Sequence, residues 1–195
     1  MELLLNLPGL YIAIVLHELA HGYTAYLLGD NTAKDANRLS LNPLKHMDPI
    51  GFVFMLVFKF GWAKPVPINP LNFKNRKRDT ILVSIAGPLT NFLLAIFTLF
   101  VIKLNLISNK TVFDILFIIV IYNISFGVFN LLPFPPLDGS KIVASLLPVK
   151  LEYYFYKYEK YFYAILIILV GTNIMDKILG PLIDFAFSVL LRVLG

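Results

Sequence analysis

His17-Glu18-Leu19-Ala20-His21 has the residue types and spacing to hold a divalent metal ion and move a proton beside it. On a helix, residues i and i+4 share a face. Two imidazoles then converge on one ion, and Glu18 stands next to them as a general base. The residues around them, from about 3 to 28, are mostly apolar and numerous enough to cross a bilayer. An acid at mid-membrane costs about 2.5–3.5 kcal/mol, so ionisable groups there read as functional. A hydrogen-bonded polar cluster or a proton relay is the alternative.

A catalytic zinc takes three protein ligands and leaves a fourth position for water. Elimination narrows the third. The chain has no cysteine, and the only other histidine is His46. That residue lies in a turn-rich stretch, Asn42-Pro43-Leu44-Lys45-His46-Met47-Asp48-Pro49, and reads as a turn residue near the site rather than a closing fourth ligand. Among the acids, Asp114 begins a span at the end opposite the histidines. Asp79 lies among basic residues, where it can pair with Arg78 or cap a helix. Asp138 follows the Pro-rich break Pro133-Phe134-Pro135-Pro136 and precedes Gly139, at the depth of the two histidines. It is the best third ligand, with a helix N-cap for 140–147 as its other role. Asn91 reads as an interhelical hydrogen bond in preference to a contact with the site.

The elements that must position these groups are membrane helices. Of the 195 residues, 58% are hydrophobic and 15% charged, against about 45–50% and 25% in soluble domains. A soluble enzyme, a disordered chain and a disulfide scaffold are excluded. The expected spans are 3–28, 80–107 and 112–132, followed by apolar stretches at 154–175 and 178–194. The first is not a signal peptide, since it opens on Glu2 without Lys or Arg. The last either spans or lies in the interface. The stretch 51–62 is too short to span and reads as a β-like re-entrant segment near 51–68, with a strand edge at 51–59 that could pair with an unwound substrate.

The net charge of +5 is concentrated in Lys64, Lys74, Arg76, Lys77 and Arg78, against Asp79 alone. A cytoplasmic loop explains this better than a nucleic acid partner. The loop at 103–111 then lies outside, and 140–160 inside. The expected fold is an all-α polytopic membrane protein in one membrane-embedded domain, 1–195. It comprises a three-helix catalytic core over about 3–145 and one or two further membrane helices over about 151–195.

Several segments together resemble the site-2 protease family, the intramembrane zinc metalloproteases of peptidase family M50, in a short form without a PDZ or CBS domain. His17-Glu18-Leu19-Ala20-His21-Gly22 resembles its first motif. The stretch from Phe129-Asn130 through Pro136-Leu137-Asp138-Gly139 resembles its second, whose Asp is a zinc ligand. Ser84-Ile85-Ala86-Gly87-Pro88-Leu89-Thr90-Asn91 resembles its central helix. Asn37-Arg38-Leu39-Ser40-Leu41-Asn42-Pro43 and Gly61-Trp62-Ala63-Lys64-Pro65-Val66-Pro67 resemble a bacterial or archaeal branch. The likeness covers about 10–145. It implies one Zn2+ per chain on His17, His21 and Asp138, with Glu18 catalytic and with Asn130 and Pro136 positioning the substrate chain. It also implies hydrolysis of peptide bonds in or near transmembrane segments of membrane-anchored proteins, in regulated proteolysis or clearance of membrane remnants. The expected partners are a transmembrane protein substrate and the lipid bilayer, with room for a homo-oligomer. The expected location is the cell membrane, multi-pass, with the active site toward the cytoplasm. The competing readings are a membrane metal-ion or proton transporter and an inactive binder of membrane helices, against which Glu18 speaks. Purified protein should carry about one zinc per chain, and Asp138→Ala should lose it. Metal analysis of both checks this.

Overall fold

The computed structural model of the chain describes residues 2–49, 51, 63–172 and 174–194. Helices dominate in the order α1 (Glu2–Leu27), α2 (Thr32–Asp35), α3 (Pro43–His46), α4 (Arg76–Lys103), α5 (Lys110–Leu131), α6 (Asp138–Leu146), α7 (Val149–Lys157), α8 (Glu159–Gly171) and α9 (Ile174–Leu194). No strand forms among the described residues; a single antiparallel bridge joins Met47 and Ala63. The expected β-like segment falls mostly on 52–62, outside the described residues. Its remainder, 64–68, forms no strand.

Among the described residues two helices, α4 and α5, are by themselves long and apolar enough to cross a membrane. At 1.5 Å per residue they measure about 42 and 33 Å, against a hydrocarbon core of about 30 Å. Their outer faces carry exposed Leu93, Phe97, Phe100, Phe117 and Ile121, which water would not tolerate and lipid would. The chain is thus an all-α membrane protein. The 154–175 stretch is not one helix: it divides at Tyr158 into α7 and α8. The segments 159–169 and 174–194 meet at 85° and qualify as a span only when taken together.

Helix α4 starts at Arg76, four residues before the expected 80, because its cap lies upstream. The Asn75 side chain accepts from Arg78 N at 3.2 Å, and Asp79 Oδ2 accepts from Asn75 N at 3.0 Å. This reciprocal pair satisfies donors that a helix start leaves open. Asp79 also pairs with Arg78, 2.9 Å away. Both roles anticipated for Asp79 are therefore filled.

Helices α1, α4 and α5 pack against one another, α6 lies on α4, and α9 leans on α5. The core between α4, α5 and α9 is Ala95, Leu99, Val120, Ile124, Val128 and Leu190. Gly9 lets α1 approach α5 closely: a Cβ there would stand 2.9 Å from Ile118 Cγ2. Gly139 is a stricter requirement. A Cβ there would fall 2.2 Å from Leu131 O, so the chain can double back from α5 into α6 only with glycine.

A second anchor lies where α1 ends. The Asp30 carboxylate, fully buried, accepts from Thr32 N at 3.1 Å, Asn69 N at 2.7 Å and Asn72 Nδ2 at 2.7 Å, and from the Thr32 hydroxyl. It ties the end of α1 to the turn at Pro70–Asn72. Burial pushes its pKa up, but these hydrogen bonds outweigh that and hold the carboxyl below the usual range. A pKa lowered on folding contributes stability that is full above the unfolded value, about 4, and fades as pH falls through the folded value. Asp30→Asn should therefore destabilise the fold by about 1–3 kcal/mol at pH 7. Thermal melts in detergent should show this gap closing as pH drops below about 4.

Candidate metal centre

Helix α1 presents His17 and His21 one turn apart, and the break after α5 presents Asp138 as the first residue of α6. His17 Nε2 lies 3.0 Å from Asp138 Oδ2 and 3.0 Å from His21 Nε2; His21 Nε2 lies 2.9 Å from Asp138 Oδ2. The three residues are 2%, 5% and 4% exposed, so bulk water does not compete for these atoms. The ring of His17 also meets Phe126 edge-on, with centroids 4.8 Å apart.

The other ring nitrogens fix the tautomers. His21 Nδ1 stands 2.6 Å from the Val83 carbonyl, which can only accept, so Nδ1 carries the proton. His17 Nδ1 stands 2.6 Å from Asn91 Oδ1. The amide orientation of Asn91 is set by its other end, where Nδ2 donates to Ala13 O and to Asn123 Oδ1, both at 2.9 Å. His17 Nδ1–H therefore donates as well. Asn123 is anchored in turn by donating to Ile119 O at 2.8 Å.

With both Nδ1 atoms protonated, each imidazole in its neutral form turns a bare lone pair inward at Nε2. An ionised Asp138 adds a third at Oδ2. Three acceptors at about 3 Å in a buried site repel unless a cation lies among them. Two imidazoles and a carboxylate are a standard zinc donor set, each oriented by an outer hydrogen bond. Gly87 provides the space: a Cβ there would stand 2.5 Å from His21 Nε2 and 2.7 Å from His17 Cε1. The residues fit a zinc ion, and they are the one possible metal-holding group among those described.

Pro88 has no N–H for the Ser84 carbonyl four residues back, and its ring crowds the turn in which Val83 lies. Asp138 is not a side-chain cap: the N-cap position of α6 is Leu137, and the Asp138 carboxylate turns to the histidines instead.

A cavity of about 190 Å³ opens beside the cluster, lined in part by His21, Asp138, Lys141, Val66, Thr80 and Ser84. Glu18 is half-buried on α1, and its Oε2 accepts from Val66 N at 2.8 Å. Pro65 and Pro67 have no N–H, so Val66 supplies the single backbone donor of that Pro-Val-Pro stretch.

The other expected site residues lie apart. Asn130 donates to Phe126 O of its own helix at 3.0 Å, and half-buried Pro136 follows Pro135 through a cis bond. Neither makes a hydrogen bond to the cluster. His46 is buried in its loop, where Nε2 donates to Ser40 O at 2.6 Å, and it stands outside the metal-holding group. Asn91 fills both roles weighed for it. Asn123, Val66 and Lys141 join the site's surroundings without a signal in their local sequence, apart from the polarity of Asn123 within a span.

Two histidines and an aspartate converging inside a bundle of membrane helices, beside a glutamate, mark the chain as a membrane protein with a candidate metal centre. The sequence profile described as peptidase family M50 matches residues 103–172. YwhC of Bacillus subtilis (strain 168), provisionally named a zinc metalloprotease, is 38% identical over 192 residues, covering 94% of this chain and 88% of that protein. Rip2 of Mycolicibacterium smegmatis, named in the same provisional way, is 31% identical over 142 residues, covering 70% of this chain and 54% of Rip2. Zinc metalloprotease MJ0392 of Methanocaldococcus jannaschii is 30% identical over 144 residues, covering 74% of this chain and 34% of that protein. No solved structure matches the chain. The chain belongs to peptidase family M50, and the expected enzyme class, a metalloprotease, follows from that membership.

Removing the Asn91 amide leaves His17 Nδ1–H without its acceptor. Asn91→Ala should weaken zinc binding about 10–100-fold. Gly87→Ala, which fills the space at the ligands, should abolish binding while helix content is kept. Metal titration with circular dichroism checks both.

Proposed function

We propose that this chain holds one zinc ion on His17, His21 and Asp138 and hydrolyses peptide bonds in or next to the membrane-spanning segments of membrane-anchored proteins. The depth of the site carries this reading. Gly87, which touches both histidines' space, is seven residues along α4 from Thr80, where the charged run Arg76–Asp79 gives way to apolar sequence. That is about 10 Å at 1.5 Å per residue, roughly a third of the hydrocarbon thickness. A protease centre at that depth acts on chains already in the bilayer.

The basic end of α4 faces the cytoplasm on this reading, because positive residues are retained inside. The cavity reaches Thr80, one turn from Arg76, and so opens toward that side. The protein is then a multi-pass protein of the cell membrane with its active site supplied with water from the cytoplasm.

A zinc ion in this site supplies Lewis acidity, which makes water a nucleophile near neutral pH and polarises the scissile carbonyl. Glu18 takes the proton from the attacking water and returns one to the leaving amine. The Val66 N–H holds Oε2 and leaves Oε1 to make that transfer. The substrate helix hides its carbonyls in its own hydrogen bonds and must unwind to present one. Asn130 and Pro136, at the end of α5 and in the break after it, are proposed to position the unwound chain.

A transporter needs a polar route across the bundle. Among the described residues, α4 and α5 beyond Asn91 and Asn123 bury Ala95, Leu99 and Val120, and the hydroxyl of buried Thr98 donates to Leu94 O of its own helix at 2.8 Å. This favours the protease. Glu18→Gln should keep zinc and lose cleavage of a transmembrane test substrate in proteoliposomes by at least about 100-fold. Wild-type cleavage by Glu18→Gln would overturn the assignment of the base, and no cleavage by zinc-loaded wild type of any membrane-anchored substrate would overturn the function.

A further inference from the structure

The two oxygens of Asp138 have different neighbours. Oδ2 faces His17 and His21 at 3.0 and 2.9 Å. Oδ1 accepts from Lys141 Nζ at 3.1 Å. Lys141 stands three residues further along α6, on the same face one turn on, so the helix itself delivers the ammonium to that oxygen. The Asp138 side chain is 5% exposed while that of Lys141 is 44% exposed, so the lysine reaches in from the cavity wall to a buried carboxylate. The basic residues at the start of α4 are engaged elsewhere. Arg76 binds Glu152 at 2.7 and 2.9 Å, Lys77 binds Leu147 O, and Arg78 binds Asp79.

A carboxylate can ligate a metal through one oxygen or both. In a zinc site with three protein residues, a second carboxylate oxygen would take up coordination that water needs. An ammonium has three donors and no acceptor, and it holds a carboxylate oxygen by charge as well as by hydrogen bond. We propose that Lys141 is a positioning residue that restricts Asp138 to ligation through Oδ2, and so keeps a coordination position open on the cavity side. The inference rests on the zinc reading above. It goes beyond the ligand set by giving the cation at Asp138+3 a task at the metal.

The test uses the full chain in detergent with Co2+ in place of zinc, because the visible d–d bands of Co2+ are intense when it is four-coordinate and weak when it is five- or six-coordinate. Wild type is expected to give the intense spectrum. Lys141→Met, fully loaded, should give the weak one, and Lys141→Arg should restore intensity. On a transmembrane test substrate, Lys141→Met should lose about 10–100-fold in kcat, with KM unchanged. A merely structural role would lower the amount of Co2+ bound without changing coordination number at full loading. A wild-type spectrum from loaded Lys141→Met overturns the inference and leaves the protease reading standing. Loss of Co2+ from Lys141→Met that elutes as wild type also overturns it, since the lysine would then serve retention instead. If Lys141→Met does not elute as wild type, Lys141→Gln is read by the same criteria. Failure of wild type to take up either metal overturns the zinc reading and this inference with it.

Discussion

Two imidazole nitrogens and a carboxylate oxygen converge at the centre of this bundle, and most of its unusual features follow from that. His17 Nε2, His21 Nε2 and Asp138 Oδ2 approach within about 3 Å in a site nearly closed to water. Such a cluster is unfavourable without a cation, and each group around it serves to hold it in place. Asn91 and the Val83 carbonyl take the Nδ1 protons. Gly87 yields the space of a side chain, and Gly139 allows Asp138 to arrive from the far side of a reversal in the chain. Any one of these could be dispensed with in an ordinary membrane helix pair. None is redundant here, because a buried polar group left without its partner costs about 1–3 kcal/mol.

The protein divides the site between two kinds of element. Packed helices set the metal ligands, so their positions are as fixed as the α1–α4–α5 packing allows. The proposed base is held differently. Glu18 is on α1, but its carboxylate bonds to Val66 in the irregular segment 64–69. That segment is secured at one end by Lys64, whose N–H donates to His46 O at 2.9 Å and whose carbonyl accepts from Arg38 at 2.7 Å. At the other end it is secured by Asn69 on the Asp30 carboxylate. On the proposed mechanism the loops around α2 and α3 would act on proton transfer, whereas the helix core would act on the metal.

The sequence revealed most where a residue is costly in its setting. His17, Glu18 and His21 stand out because apolar spans do not carry such groups without reason, and Asp138 stands out because a Pro-rich break and a glycine surround it. The structure brings His17, His21 and Asp138 together, as their spacing and depth suggested. Residues whose part depends on a distant neighbour were not legible. Lys141 looks like a solvated helix residue, Val66 acts through its backbone, and Asn123 matters only because Asn91 faces it across two helices. Element ends failed for local reasons. The Asn75–Asp79 cap moved the start of α4 into the basic run, and the chain turned at Tyr158 within a stretch that reads as continuous.

Depth and hydration place opposing demands on such a site. The ligands must be far enough from water for their mutual geometry to be enforced, yet hydrolysis consumes water at the same atoms. The arrangement of α4 meets both demands. From Gly87 outward its buried face continues through Asn91 to Ala95, Leu99 and Thr98, whose hydroxyl is spent on Leu94 O of the same helix, and these seal the bundle. From Gly87 back toward Arg76 the cavity follows Ser84 and Thr80 to the charged end of the helix. On the proposed reading, one helix carries the seal on one side of the metal centre and the water route on the other, and Gly87 marks the point where the two meet.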